Sequence, residues 1–272
     1  MEKRSNNSFE KSMLKNYRKT IWSKFTKGIR KYGLIENGDK IAIAMSGGKD
    51  SLLLAKLFQE LKNHPQMNFE IEFITMDPGF NTENLDLMIK NSNYLGIPMN
   101  IEKSNNFNII ETISKDNPCY LCARMRRGFL YNMAKEKGCN KLALGHHFDD
   151  VIETTLLNMF YAGTFETMQP KVISKNFEGI EIIRPMYLIH EQDIIDIMKE
   201  NDIKTMGCGC EIATCNISSK RQEVKKLIKE MKLKSNDIDK NIFRSAENVN
   251  LDNIVRWRKE GKEFSSYDKI DD

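Results

Sequence analysis

The sequence predicts an α/β protein: a parallel sheet of five strands with helices on both faces, extended by helical segments at both ends. Three observations predict it. Short apolar runs of strand length alternate with stretches of helical periodicity. The first run leads straight into a glycine loop that opens a helix. A later run ends in a loop of two histidines and two aspartates.

Taken in order, residues up to about 36 form a helical lead-in, with Tyr17, Ile21, Phe25 and Ile29 at i+4 spacing and Lys and Arg on the other faces. Gly33 and Gly38 punctuate its end. Lys40–Met45 is the first strand, and Leu52–Leu57 lies in the helix after the glycine loop. The second strand, Phe69–Ile74, alternates over most of its length and ends at the turn signal Met76-Asp77-Pro78-Gly79. Residues 81–95 are helical through Leu85, Met88 and Leu95. Met99–Glu102 is the third strand, 123–137 a helix with a basic start, and Lys141–Leu144 the fourth strand. Residues 149–161 form a helix with Ile152, Leu156, Met159 and Phe160 on one face. Ile180–Ile183, stopped by Arg184-Pro185, is the fifth strand, and Ile194, Ile195, Ile197 and Met198 belong to a further helix. Beyond Cys215 the chain reads as Lys-rich helix with a frayed end. The expected organisation is an N-terminal helical extension over 1–37, a nucleotide-binding domain over 38–205 and a Cys-containing helical segment over 206–272.

Composition bounds the function. A chain of 272 residues with 40% hydrophobic and 29% charged content is an ordinary globular protein. No apolar run approaches the roughly 18 residues of a membrane helix, and the polar start lacks a signal-peptide core, so a cytoplasmic protein with no membrane association is expected. The net charge of +4 and pI near 8.6 permit a polyanionic partner such as RNA, and equally describe a normally solvated surface.

Ser46-Gly47-Gly48-Lys49-Asp50-Ser51 joins a strand to a helix. Gly47 and Gly48 let main-chain N–H groups approach a phosphate, and the helix dipole points its positive end there. Ser46 and Ser51 add hydroxyls and Lys49 a positive charge. Asp50 repels phosphate, so its natural role runs through a bridging Mg²⁺. The spacing is too short for the Gly-x4-Gly-Lys pattern. Leu144-Gly145-His146-His147-Phe148-Asp149-Asp150 ends the fourth strand, where ligands of an open parallel sheet gather. One aspartate suffices to cap the next helix. The second, Asp150, is a candidate to share Mg²⁺ with Asp50, and His146 to contact the nucleotide or the reacting base. Lys49, Asp50, Asp150 and His146 are therefore the candidate catalytic residues. Met76, Asp77 and Gly145, at strand ends, join the glycine loop as candidate nucleotide-binding residues.

Five of the six cysteines fall into two clusters. Cys119 and Cys122 form a Cys-x2-Cys pair; Cys208, Cys210 and Cys215 follow nearly ninety residues on. A reducing compartment disfavours disulfides. A zinc site, an iron–sulfur cluster held by three cysteines with one iron open to substrate, and a persulfide-forming catalytic pair all fit the spacing. Cys139 reads as a small packing residue. Arg124, Arg126 and Arg127 suit an RNA phosphate or a solvated helix face.

The glycine loop resembles the pyrophosphate loop of the N-type ATP pyrophosphatases, and the chain is similar to the tRNA 2-thiocytidine synthetase family, TtcA. The resemblance runs from Tyr32–Asp39 through the glycine loop, Cys119–Gly128, Ala143–Asp150, Leu157–Tyr161 and Ile183–Met186 to Lys220-Arg221-Gln222. It implies an adenine nucleotide alpha hydrolase-like fold and a tRNA-thiolating enzyme. It further implies that ATP·Mg²⁺ would adenylate the C2 oxygen of a tRNA cytidine, and that a [4Fe–4S] cluster held by three cysteines would deliver sulfur to C2. It implies a persulfide donor such as a cysteine desulfurase, and leaves a homodimer open. Two cluster ligands match Cys119 and Cys122. The third lies among Cys208, Cys210 and Cys215: alignment back from Arg221-Gln222 favours Cys210 and alignment forward from Arg184-Pro185 favours Cys208, while family members carry Pro-Cys-x2-Cys-Gly-Ser where this chain has Cys208-Gly209-Cys210 with Cys215 further on. That divergence leaves another tRNA base or a small molecule as alternative acceptors.

Two other readings compete. A lysidine synthetase-like ligase shares the loop, but its chemistry needs no cysteines. A zinc-stabilised RNA-binding module needs no glycine loop.

Overall fold

The structure is a computed structural model that describes residues 8–64, 67–77, 80–103, 118–174, 177–206 and 217–267, with the backbone alone at 103, 118–124 and 217–219. All five expected parallel strands are present: β1 (Lys40–Met45), β2 (Glu70–Asp77), β3 (Ile101–Lys103), β4 (Lys141–Ala143) and β6 (Glu181–Ile183). The sheet has a sixth strand, β5 (Lys171–Ile173), antiparallel to β6 at the edge, giving the order β3-β2-β1-β4-β6-β5. Three residues carry no period-two signal, and only the neighbouring strand completes this one.

The helices are α1 (Ser8–Lys11), α2 (Ser23–Tyr32), α3 (Lys49–Lys62), α4 (Thr82–Leu95), α5 (Pro118–Glu136), α6 (Phe148–Leu157), α7 (Glu191–Glu200), α8 (Ile217–Lys234) and α9 (Ile238–Ser245). The lead-in is not one continuous α-helix. Two wide π-type turns, Ser12–Asn16 and Arg18–Trp22, separate α1 from α2. The C-terminal extension is α-helical to Ser245, makes one 3-10 turn at Leu251–Asn253, and carries a hairpin of β7 (Arg256–Lys259) and β8 (Lys262–Ser265). Glu260 and Gly261 both take positive φ, 54° and 78°, the backbone a two-residue hairpin turn requires. Trp257 stacks on Phe264 across it, with ring centroids 5.8 Å apart.

Strand alternation sorts the core onto the two faces of the sheet. Ile41, Ile43, Met45, Ala143 and Ile183 join α3, α7 and the N-terminal segment, including Phe9, Met13, Ile21 and Phe25. Ala42, Ile74, Leu142 and Ile182 face α5 through Tyr131 and Ala134. Cys139 is buried in this second cluster, as its packing role requires. The run Leu52-Leu53-Leu54, with Leu57 and Phe58, is fully buried, and each such side chain contributes about 1.5–3 kcal/mol. A third cluster joins α6, α8 and α9 through Phe148, Val151, Ile152, Val224, Ile228 and Phe243. Among the described residues no helix is long and apolar enough to cross a membrane.

Candidate active site

The strand order reverses between β1 and β4, which are parallel neighbours. At such a switch point the loops leaving the two carboxyl ends diverge and open a crevice. The glycine loop leaves β1 and the His/Asp loop leaves β4, so the two loops flank this crevice.

Gly47 has φ 76° and Gly48 is extended, turning the chain from β1 into α3. The positive φ is what calls for glycine; a Cβ on Gly47 would also come within 2.5 Å of Met206 Cε and 2.8 Å of Met88 Sδ, flexible side-chain ends that would have to shift. The first N–H groups of α3 have no intrahelical acceptor and point at the loop, the arrangement that binds phosphate. Ser51 is buried, and its hydroxyl braces the loop: it accepts from Ser46 N at 3.2 Å and donates to the Gly48 carbonyl at 2.9 Å. Its proton is thus spent inside the loop; the Ser46 hydroxyl donates to Ser51 Oγ at 3.2 Å, and Ser46 is the serine exposed at the turn.

Lys49 Nζ lies between Asp50 Oδ2 at 3.1 Å and Glu191 Oε1 at 3.2 Å. Burial pulls the Lys49 pKa down, but the two carboxylates outweigh it and hold it above the ordinary value. Asp50 is shifted up by burial, against the opposing pull of His147 and Lys49. Its Oδ1 is buried without a hydrogen-bond partner.

Gly145 brings the second loop against the first. A Cβ there would meet the Asp50 backbone at 3.2–3.3 Å, so only glycine allows this approach without displacement. His147 sits between the carboxylates. Its Nε2 is 3.8 Å from Asp50 Oδ1 and 3.5 Å from Asp150 Oδ2, and its Nδ1 is 3.9 Å from Asp149 Oδ2. Asp50 and Asp150 therefore converge on one imidazole nitrogen. Asp150 Oδ2 also accepts from His147 N at 3.0 Å, and Asp149 Oδ2 from Glu191 N at 2.7 Å. Both aspartates thus have capping roles, on α6 and α7 respectively. Burial, aided by Arg184 and Arg221 and opposed by Asp150, lowers the His146 pKa to about 4; the imidazole is neutral at pH 7 and its Nδ1 has no partner. Met76 and Asp77 end β2, beside β1. Met76 is buried, and Asp77 Oδ1 accepts from Phe80 N at 2.8 Å.

Sequence reasoning assigned no role to four further residues. Glu191, the first residue of α7, contacts Lys49 and also pairs with Lys225 of α8. Arg221 of α8 reaches Asp150 at 3.4 Å and Glu153 at 3.5 Å. Burial lifts Glu153 to about 7 despite Arg221. The one local signal was Lys220-Arg221-Gln222, which carried a likeness but no partner.

Among the described residues no group of three His, Cys, Asp or Glu side chains forms a ready-made metal cage. Mg²⁺ does not need one: it takes one or two carboxylates and completes its shell with phosphate and water. Asp50, with its unpartnered oxygen, and Asp150 fit that requirement. Cys119 and Cys122 lie one turn apart at the start of α5. Cys208, Cys210 and Cys215 lie outside the described residues. Of the three arginines, Arg126 has a buried Nε without a partner, Arg127 is exposed, and the Arg124 side chain is not described.

A phosphate-cradling glycine loop and a convergent acidic loop, set at the switch point of a parallel sheet, define a nucleotide-binding α/β protein of the PP-loop class. The profile of the PP-loop domain family matches residues 16–206. Tertiary structure agrees. The U34-tRNA thiolase NcsA from Methanococcus maripaludis, solved with its [4Fe–4S] cluster, shares the fold with a TM-score of 0.63 at 23% identity, over 84% of this chain and 80% of that one. Among curated proteins, the tRNA-cytidine(32) 2-sulfurtransferase of Geobacter sulfurreducens is 34% identical over 85% of this chain and 90% of its own. That of Syntrophotalea carbinolica is 39% identical over 75% and 79%. The chain belongs to the tRNA 2-thiocytidine synthetase family, the sulfurtransferase branch of the PP-loop proteins.

Proposed function

We propose that the chain replaces the C2 oxygen of a tRNA cytidine with sulfur at the expense of ATP. The observation that carries the ATP half is Asp50 Oδ1, a buried carboxylate oxygen with no partner, beside Asp150 at the mouth of the glycine loop. An unsatisfied buried oxygen is costly unless a ligand completes it, and a Mg²⁺ ion held by Asp50 would do so while supplying positive charge for a phosphate. The names of the relatives support tRNA cytidine as the acceptor.

In this reading the loop N–H groups, Ser46 and Lys49 hold the β and γ phosphates, while Asp50 and Asp150 hold the metal. The C2 oxygen attacks the α-phosphorus and pyrophosphate leaves. Sulfur at the sulfide level, as hydrosulfide, then adds at C2 and gives up its proton, and the oxygen departs with AMP. His146, neutral at pH 7 with an unpartnered Nδ1, is suited to a hydrogen bond with the base or the nucleotide. Cys119 and Cys122, with Cys210 or Cys208 as third ligand, would hold a [4Fe–4S] cluster, which supplies an iron with an open position for sulfur. A cysteine desulfurase-type persulfide is the matching donor, its outer sulfur released as hydrosulfide by two electrons from two thiols that close to a disulfide, and the cytoplasm is where these partners meet.

Mass spectrometry of tRNA nucleosides from cells with and without the gene tests the acceptor. Loss of 2-thiocytidine is expected; an unchanged set of thionucleosides overturns the tRNA reading. Anaerobically purified protein should be brown with about four irons per chain. A colourless protein with stoichiometric zinc removes the cluster from the scheme.

A further inference from the structure

Helix α8 lies wholly beyond residue 206, where the PP-loop profile ends, yet two of its side chains reach the site. Val224 and Ile228 are buried and fix it against Phe148, Val151 and Ile152 of α6. Arg221 and Lys225, four residues apart and so on one face, carry the polar contacts. Arg221 Nη1 is 3.4 Å from Asp150 Oδ1, and its Nη2 donates to Thr154 Oγ1 at 3.3 Å. Lys225 pairs with Glu191 Oε2, while Glu191 Oε1 faces Lys49 Nζ at 3.2 Å. A line of alternating charge, Asp50–Lys49–Glu191–Lys225, therefore runs from the glycine loop to α8. Its inner members are shielded, with side-chain exposures of 24% for Lys49 and 17% for Glu191, against 55% for Lys225.

We propose that Glu191 is a positioning residue shared by Lys49 and Lys225, so that ATP binding at the glycine loop and docking of α8 are one coupled event. This rests on the ATP reading of the site and adds to it a residue and a helix. The physical basis is competition. One glutamate divides its charge between two ammonium groups. A polyphosphate draws Lys49 away, and Glu191 then holds Lys225 alone and more tightly. Without Lys225, Glu191 would hold Lys49 undivided and oppose its transfer to phosphate. Coupling of this kind is reciprocal by linkage. Helix α8 directly follows the chain segment that carries Cys208, Cys210 and Cys215, so its docking fixes where that segment ends.

The test is equilibrium binding of α,β-methylene ATP by the full-length protein, with hydrogen exchange of peptides from 217–234. Lys225→Met should weaken binding about fivefold, in the range of a partly exposed ion pair, and Lys225→Arg should leave it unchanged. Adding Glu191→Gln to Lys225→Met should restore affinity to within about twofold of wild type, a non-additive result that a merely structural role would not give. Nucleotide should raise exchange protection of α8 in the wild type and not in the double variant. Unchanged affinity in Lys225→Met, or a double variant no better than the single, overturns the inference while leaving the ATP reading standing. A wild-type protein that binds no nucleotide defeats both.

Discussion

At the amino-terminal edge of the sheet, Lys141 Nζ meets Asp39 Oδ2 at 2.9 Å, the Leu34 carbonyl at 3.0 Å and Glu181 at 3.3 Å. Asp39 also accepts from Glu36 N at 2.6 Å and Asn140 Nδ2 at 2.7 Å. At the carboxyl edge, Asp50, His147, Asp150 and Arg221 form a chain with successive separations of 3.8, 3.5 and 3.4 Å, and Asp50 Oδ1, His146 Nδ1 and His147 Nδ1 have no hydrogen-bond partner. Both clusters are charged; the first is buried and the second is half-buried, with Asp50 and Arg221 partly exposed. The first is complete in itself and staples the lead-in to β1, β4 and β6. The second leaves one carboxylate oxygen and two imidazole nitrogens unpaired, groups that a cation and a hydrogen-bonding ligand would satisfy. The pKa shifts of Asp39 and Asp50 run in opposite directions. Burial raises both aspartates, but at Asp39 the bonds from Glu36 N, Asn140 and Lys141 outweigh it, and the pKa falls. At Asp50 the opposing charges do not suffice, and the pKa rises.

If the carboxyl edge is built for a ligand, Asp50→Ala should cut AMP formation by about 10³-fold or more, the loss expected when a metal-held electrostatic clamp is broken. Iron content should be retained, and Asp50→Asn should unfold no more easily than wild type at pH 7, since the raised pKa marks an ionised form that costs stability there. A large fall in unfolding free energy would make Asp50 a structural residue and erase the contrast. At the other edge, Lys141→Met should cost about 3–5 kcal/mol in denaturant unfolding, because it strands the Asp39 carboxylate in the interior. The ATP KM of the folded fraction should not move.

Gly145→Ala tests the approach of the two loops. Its Cβ would press on the Asp50 backbone, so a cost of about 1–3 kcal/mol is expected, with slower AMP formation. The smallest effect is pH dependence. The folded Asp39 pKa is depressed, so its ionised form stabilises the protein fully above the ordinary carboxylate pKa of about 4, and this is lost as pH falls through the folded value. Asp39→Asn should therefore be less stable than wild type at pH 7, with the gap closing in acid. A gap that persists at the lowest pH would assign the role to shape alone.

Much of this was legible along the chain. The runs Lys40–Met45 and Leu52–Leu57 announce a strand and a helix by local periodicity, and the glycines between them announce a phosphate loop by backbone freedom. The edge strand Lys171–Ile173 was not legible, because three residues show no period and the ladder that makes them a strand belongs to β6. The hairpin at 256–265 carried its turn signal in Glu260-Gly261, hidden within a Lys-rich stretch of helical character.

By itself the sequence determined the fold class, the glycine loop, the acidic loop and the family, because each depends on residues adjacent in the chain. Only the tertiary structure decided which groups complete the site. It turned Ser51 inward to brace the loop, set His147 between Asp50 and Asp150, and brought Glu191, Arg221 and Lys225 to Lys49 and Asp150. Those partners lie on α7 and α8, far along the chain. An ion pair between distant residues leaves no periodicity to read; it exists only once packing has placed the two helices.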